Sequence, residues 1–223
     1  MTNGKQKLYR DLKQRILTLE LEPGADLDET QLSKEYGISR TPLRDVFRDL
    51  AGEGYLSLES NRGASVSPLS HTTLRDFFLA APMIYAATAR LAARNATADQ
   101  IVELTDSASR FDEAIEAAST TQLAIHNNRF HQLIGLMADN AFLLPSHNRL
   151  LIDHARISQT FYRAEDPTLK KPLADAGRQH ADMIEAIRQR DEDRSEQLVY
   201  EHWALSREFI QRSLTPASLN IGL

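Results

Sequence analysis

The stretch "SRTPLRDVFRDL", residues 39–50, decides the fold. Arg40, Arg44 and Arg48 recur at every fourth position, and residues four apart stack on one face of an α-helix. Leu43, Val46, Phe47 and Leu50 fall on the other side. The spacing therefore predicts one short helix with a guanidinium stripe backed by an apolar stripe. Before it, "GIS" (37–39) leaves room only for a tight turn. Upstream of the turn, Asp28 with Gln31 reads as a capping box opening a helix whose apolar side is Leu32 and Tyr36. Gly37 suits the left-handed position after its end. Ser39 or Thr41 can cap the arginine helix, and Pro42 is harmless in its first turn.

Working outward, Leu8, Leu12 and Ile16 in "KLYRDLKQRILTLEL" keep an i, i+4 register until "EPG" ends the helix. Downstream, Leu56 and Leu58 alternate with polar residues, "SNRG" (60–63) is turn chemistry and Val66 resumes the pattern, so 55–68 reads as a β-hairpin. Two helices joined by a tight turn and followed by a hairpin make a winged helix-turn-helix. Its chemistry needs both stripes: the apolar one anchors the helix, so that the other can enter the major groove. There an arginine bonds a guanine edge bidentately. Ser39 and Thr41, at the helix start, can approach phosphates, and Arg62 with Gly63 at the hairpin tip can reach the minor groove or the backbone. Local pairing of Arg44 or Arg48 with Asp45, Asp49 or Glu53 is the competing reading for each arginine taken singly. The whole unit, with its parts in order, favours DNA.

Bulk properties leave this reading to the placement of charge. The 223-residue chain carries a net charge of −5, and residues 1–68 hold ten Lys/Arg against eleven Asp/Glu. Nucleic-acid binding must then rest on where the cations sit. The absence of cysteine excludes disulfide and thiolate chemistry and fits a reducing cytoplasm. The N-terminus has no apolar core of a secretion signal. "FFLAAPMIYAATA" (77–89) is too short to span a bilayer and contains Pro82, so no membrane role is expected and the stretch reads as helix core or dimer surface.

Residues 69–72 read as a linker. From there strand signals vanish, and helical periodicity predicts six helices, roughly 71–96, 98–117, 119–138, 141–163, 167–190 and 192–212. Pro82 and Pro145 should kink or begin helices. The expected architecture is mainly α: a winged helix-turn-helix over 1–68, an all-α bundle of six to seven helices over 73–215, and a flexible tail over 216–223.

Three of the seven histidines lie on the apolar side of their helices. His131 shares a face with Asn127, Ile134 and Ala138; His180 with Met183, Ile184 and Ile187; His202 with Leu198, Leu205 and Phe209. His71, His126, His147 and His154 lack a common face and are assigned to surfaces or helix ends. A buried imidazole needs a partner. One metal ion would serve all three inward ones through neutral nitrogens, and helix bundles build metal sites this way. Periodicity alone leaves a metal site and a histidine-lined anion pocket equally open.

These motifs resemble a known family. "LEPGADLDETQLSKEYGISRTPLRDVFRDLAGEGYL" followed by "NRGASV" is similar to the winged helix-turn-helix of the GntR family of bacterial transcription regulators. The helical part resembles the FCD effector domain of its FadR-like subgroup. The first resemblance implies DNA contacts from Ser39, Arg40, Thr41 and Arg44, with Arg62 and Gly63 in the wing; Arg48 extends the same stripe. Many members carry an arginine where this chain has Thr30, which implies a missing contact and a different operator. The second resemblance implies a metal site from an Asp-x-x-x-His pair and two later histidines, matched by His131, His180 and His202. Asn127 stands where the aspartate usually is; it can still ligate through its carbonyl oxygen but brings no charge, which implies either a lower metal affinity or a lean toward nitrogen-preferring ions such as zinc or nickel. An Arg–Glu pair often found on the first long helix is replaced by Ala81 and Tyr85, leaving Arg156 as a candidate clamp for a small carboxylate effector.

Two alternatives belong to other classes. A metal-dependent hydrolase would need a general base beside the bound water, and no inward Glu or Asp has the spacing for it, as in H-E-x-x-H. The same regulator without a metal could sense an acyl-type ligand. The resulting expectation is a non-enzymatic, cytoplasmic, ligand-responsive repressor. It would bind a pseudo-palindromic operator duplex as a homodimer and respond to a metal, a small organic acid, or both.

Overall fold

A computed structural model describes residues 3–59, 63–162 and 170–214. Among them are nine helices and three short strands: α1 (Asn3–Leu17), β1 (Asp26–Leu27), α2 (Glu29–Tyr36), α3 (Arg40–Glu53), β2 (Leu56–Glu59), β3 (Gly63–Val66), α4 (His71–Asn95), α5 (Ala98–Glu116), α6 (Thr120–Met137), α7 (Leu143–Tyr162), α8 (Lys170–Arg188) and α9 (Glu192–Leu214). The expected mainly-α architecture, a winged helix-turn-helix followed by a helical bundle, is what forms. The expected tail at 216–223 lies outside the described residues.

In the N-terminal module, Leu43, Val46, Phe47 and Leu50 of α3 are at most 2% exposed and meet Leu8, Leu12 and Ile16 of α1. Burying such side chains contributes about 1.5–3 kcal/mol each, so α3 is held by its apolar stripe. Asp28 caps α2 by accepting from the Thr30 and Gln31 amides. Ser39 occupies the N-cap position of α3, but its side chain makes no capping hydrogen bond, contrary to expectation. Gly37 and Gly54 end α2 and α3 at φ 61° and 95°, the left-handed region that favours glycine. The wing contains one strand more than the sequence suggests. Asp26 and Leu27 pair antiparallel with Ser65 and Ala64, giving the strand order β1-β3-β2. Two residues are too few to show a period.

The six C-terminal helices share one core running from Phe77 on α4 to Trp203 on α9. α5 opens on a complete capping box between Thr97 and Gln100. Pro145 falls in the first turn of α7, where its missing N–H is of no consequence. Pro82 lies inside α4, which continues through it. The "FFLAAPMIYAATA" stretch divides by face: Phe77, Ala81, Tyr85, Ala86 and Ala89 are buried, whereas Leu79 and Met83 are exposed. No helix among the described residues is long and apolar enough to cross a membrane.

The two modules meet along α7. Ile152 completes the core of the winged helix. Arg149 packs over Gly54, its Cδ and Nε standing where a Cβ on that glycine would go. The fully buried Arg156 donates to the Ser67 carbonyl oxygen at 2.5 Å and pairs with Asp153.

Candidate DNA-binding face and histidine centre

Ser39, Arg40, Thr41, Arg44 and Arg48 are all exposed on one side of α3. Two of the arginines already have carboxylate partners. Arg44 holds Glu29 of α2 through Nε at 3.0 Å and a second guanidinium nitrogen at 3.0 Å, a forked pair. Arg48 bonds Asp45 at 2.9 Å. The sequence offers Asp45 as a partner; Glu29, fifteen residues from Arg44, is brought in by the tight turn between α2 and α3. Glu53, the other expected partner, is taken by Tyr9 and Lys13 of α1. Exposed pairs of this kind contribute little to stability, so phosphate or guanine can replace the carboxylates. Gly63 opens β3 at φ 87°, exposed, and shares a cleft with Glu29, Arg44 and Arg48. Arg62 lies outside the described residues.

In the bundle, α6, α8 and α9 bring His131, His180 and His202 together. One nitrogen from each ring lies within 4.8 Å of the others, and all three residues are buried. His180 is fully buried, stacked on Phe130 at a ring separation of 4.0 Å, and neither of its nitrogens has a hydrogen-bond partner among the described residues. His131 Nε2 is likewise unpartnered. Leaving a buried polar atom unsatisfied costs about 1–3 kcal/mol, so three in one cluster ask for a common ligand. His202 is oriented from outside: its Nδ1–H donates to Gln179 Oε1 at 2.8 Å, leaving the Nε2 lone pair free. Burial holds all three rings neutral, His202 down to about 4 and the other two well below the usual histidine range. Neutral imidazole is the form that binds a metal. The donor set thus fits a divalent ion that accepts nitrogen. Asn127 is buried on α6, one turn before His131.

Two further histidines correct the sequence reading. His147 and His154, expected at surfaces or helix ends, are 1% and 6% exposed. α7 is buried on all sides from Leu151 to Gln159, which takes in His154, whereas His147 is turned toward α6 between the exposed Ser146 and Asn148. His147 Nε2–H donates to the His131 carbonyl oxygen at 2.8 Å, and its ring approaches α6 closely because Gly135 has no Cβ there. The His154 ring centroid lies 4.8 Å from that of His131. Both rings, with Tyr85, Ile134, Met183, Val199 and Trp203, line a cavity of about 20 Å³ beside His131 and His202. That is space for one ion or one water. Tyr85 Oη and His147 Nδ1 are buried there without partners. Only contact across helices, invisible to a one-helix period, reveals them.

Arg156 requires a second correction. It does not line this cavity; its guanidinium points to the domain junction, held by Ser67 and Asp153. A fully desolvated arginine needs a charged partner, and Asp153, one turn away and itself buried, supplies it. A carboxylate clamp at Arg156 is therefore withdrawn.

Comparison with known proteins agrees with this geometry. The family described as "Bacterial regulatory proteins, gntR family" matches residues 5–66, and "FCD domain" matches residues 82–205. The HTH-type transcriptional repressor RspR of Escherichia coli K12 is 28% identical over 197 residues, covering 88% of this chain and 84% of that protein. The repressor GlaR of the same organism is 24% identical over 210 residues, covering 92% and 95%. Among solved structures, E. coli McbR/YncC superposes with a TM-score of 0.80 at 18% identity, over 96% of this chain and 100% of the other; at that identity it speaks for the fold. The chain belongs to the GntR family of bacterial transcription regulators, in the branch that carries an FCD domain, and is a DNA-binding regulator rather than an enzyme.

Proposed function

We propose that this regulator is a cytoplasmic repressor that binds a pseudo-palindromic operator as a homodimer and is switched by a divalent ion in the histidine centre. The observation that carries the reading is a cluster of three buried, neutral imidazoles in which His131 Nε2 and both His180 nitrogens have no hydrogen-bond partner among the described residues. His131, His180 and His202 would hold the ion, with the Asn127 carbonyl as fourth donor; this neutral, nitrogen-rich set favours zinc or nickel. The ion would supply positive charge at the cavity. None of the described residues lining it is Lys or Arg, and its volume takes one ion or one water, so a small carboxylate effector would need the cavity to widen and would take its electrostatic attraction from the ion. Two-fold symmetry matches paired half-sites. Leu79 and Met83, 63% and 62% exposed one turn apart on α4, offer an apolar strip to a second copy.

On DNA, Ser39, Arg40, Thr41, Arg44 and Arg48 would face the duplex, with Arg62 and Gly63 in the wing. The test is a gel shift with duplex from upstream of the chain's own coding sequence, with zinc and with chelator. Arg44→Ala is expected to weaken binding about 10- to 100-fold, the worth of one bidentate base contact, with an unchanged urea unfolding curve. Glu29→Gln is expected to tighten it, since the arginine no longer has to leave a carboxylate. Affinity should fall steeply with salt as phosphate contacts release counterions. Equal affinity for Arg44→Ala and the parent would remove α3 from the interface.

A further inference from the structure

Two sets of contacts are interleaved along three turns of α7. Toward the bundle, His147 donates to the backbone carbonyl of His131, its ring is seated on Gly135, and His154 stands against the His131 ring. Toward the winged helix, Arg149 occupies the space above Gly54, the residue that ends α3, while Ile152 sits in that module's core and Arg156 grips the Ser67 carbonyl just past β3. Asp153 ties the second set together, bonding Arg149 at 2.9 Å and pairing with Arg156. The residues alternate in number, so no flexible segment separates the two sets. The thickness of one helix, about 10 Å, lies between the cavity and the end of the recognition helix.

We propose that α7 transmits the state of the histidine cavity to α3, with Arg149 and Arg156 as positioning residues that seat the winged helix on it. This rests on the reading of the cavity as the regulatory site. A helix packed on both faces moves as a body, because close-packed interiors pass a displacement on and do not absorb it. Anything that draws His131 toward its ligand-forming partners pulls on His147 through the shared carbonyl. It thereby shifts Arg149 under Gly54 and Arg156 under Ser67. These two contacts hold the trailing end of α3 and the root of the wing, the points that set the angle at which both meet a duplex. Coupling of this kind is reciprocal: a constraint on the winged helix alters the cavity by the same factor.

Hydrogen exchange on the full chain tests this with zinc alone as the probe. In the parent, zinc is expected to slow exchange in α6, α8 and α9, and also, by about fivefold, the lower end of common allosteric couplings, at residues 50–56 and 64–67. In Arg149→Ala, whose side chain is partly exposed and whose loss leaves the fold intact, slowing in the bundle remains and slowing at the two distal segments is lost. Arg156→Met with Asp153→Asn, which leaves no buried charge unpaired, should behave alike. A second arm needs no metal: His147→Leu removes the bond to His131 and is expected to speed exchange at 50–56 and 64–67. Distal slowing that persists in Arg149→Ala, or a parent response confined to the bundle, overturns the proposal. So does a His147→Leu variant altered only in α6 and α7. A parent that takes up no zinc refutes the metal reading, and the His147→Leu arm then decides the role of α7 by itself.

Discussion

His180→Ala is expected to lower zinc or nickel affinity at least about 100-fold, and protein purified without chelator should lose its metal on elemental analysis. Supporting residues around a metal typically account for 10- to 100-fold, so removal of a direct donor sets that range as a floor. His180 is the most telling of the three because it is fully buried and both its nitrogens lack partners among the described residues. Gln179→Ala should cost about 10- to 100-fold, because it frees the His202 ring to turn. His126, on the same helix as His131 but outside the cluster, is the control, and His126→Ala should retain the metal. Equal metal content in His180→Ala and the parent would remove this centre.

Acid is expected to unfold the metal-free protein in a range that ordinary proteins tolerate. Five histidines are buried, and burial lowers every one: His147 and His202 to about 4, His154 to about 3, His131 and His180 well below the usual range. The folded chain therefore stays neutral at these sites while the unfolded chain takes up protons below about pH 6.5. Where the unfolded state binds more protons, stability falls with falling pH. The loss begins near 6.5 and continues down through the folded values of about 4 and 3. At pH 5 His147, His154 and His202 each cost about 2 kcal/mol, and His131 and His180 add in the same direction, against a whole stability of about 5–15 kcal/mol for a typical domain. Melting of chelator-treated protein should drop by tens of degrees between pH 7 and pH 5, and zinc, binding rings that are still neutral in the folded chain at pH 5, should raise the melting point at both. A melting point that barely moves would mean that these imidazoles are hydrated.

The sequence discloses those parts of the molecule that depend on a single helix. Leu43, Val46, Phe47 and Leu50 define the buried side of α3 by period alone, and the ends of bundle helices follow from local breaks such as "NATADQ" and "ADNA". His131, His180 and His202 converge because each shares a face with aliphatic neighbours. What stays hidden depends on a second element. His154 looks polar in a stretch of α7 that turns out to be buried on all sides, and His147 faces α6 between exposed neighbours. Glu29 meets Arg44 only once the turn has closed. Arg156, whose charge suggests a ligand clamp, is claimed by the domain junction through a carbonyl 89 residues away. Two-residue β1 has no period to detect. Long-range pairing and burial on every side leave no trace in a one-dimensional pattern.

The Glu29–Arg44 fork also bears on how such a regulator would search a genome. An arginine already satisfied by a carboxylate gains little from an arbitrary phosphate, since the exchange trades one anion for another. A guanine edge in register, which restores both directed bonds of the fork, makes release worthwhile. A net charge of −5 works in the same sense by repelling random duplex. Together they favour brief stays at wrong addresses, so that few copies per cell are enough to keep the right one filled.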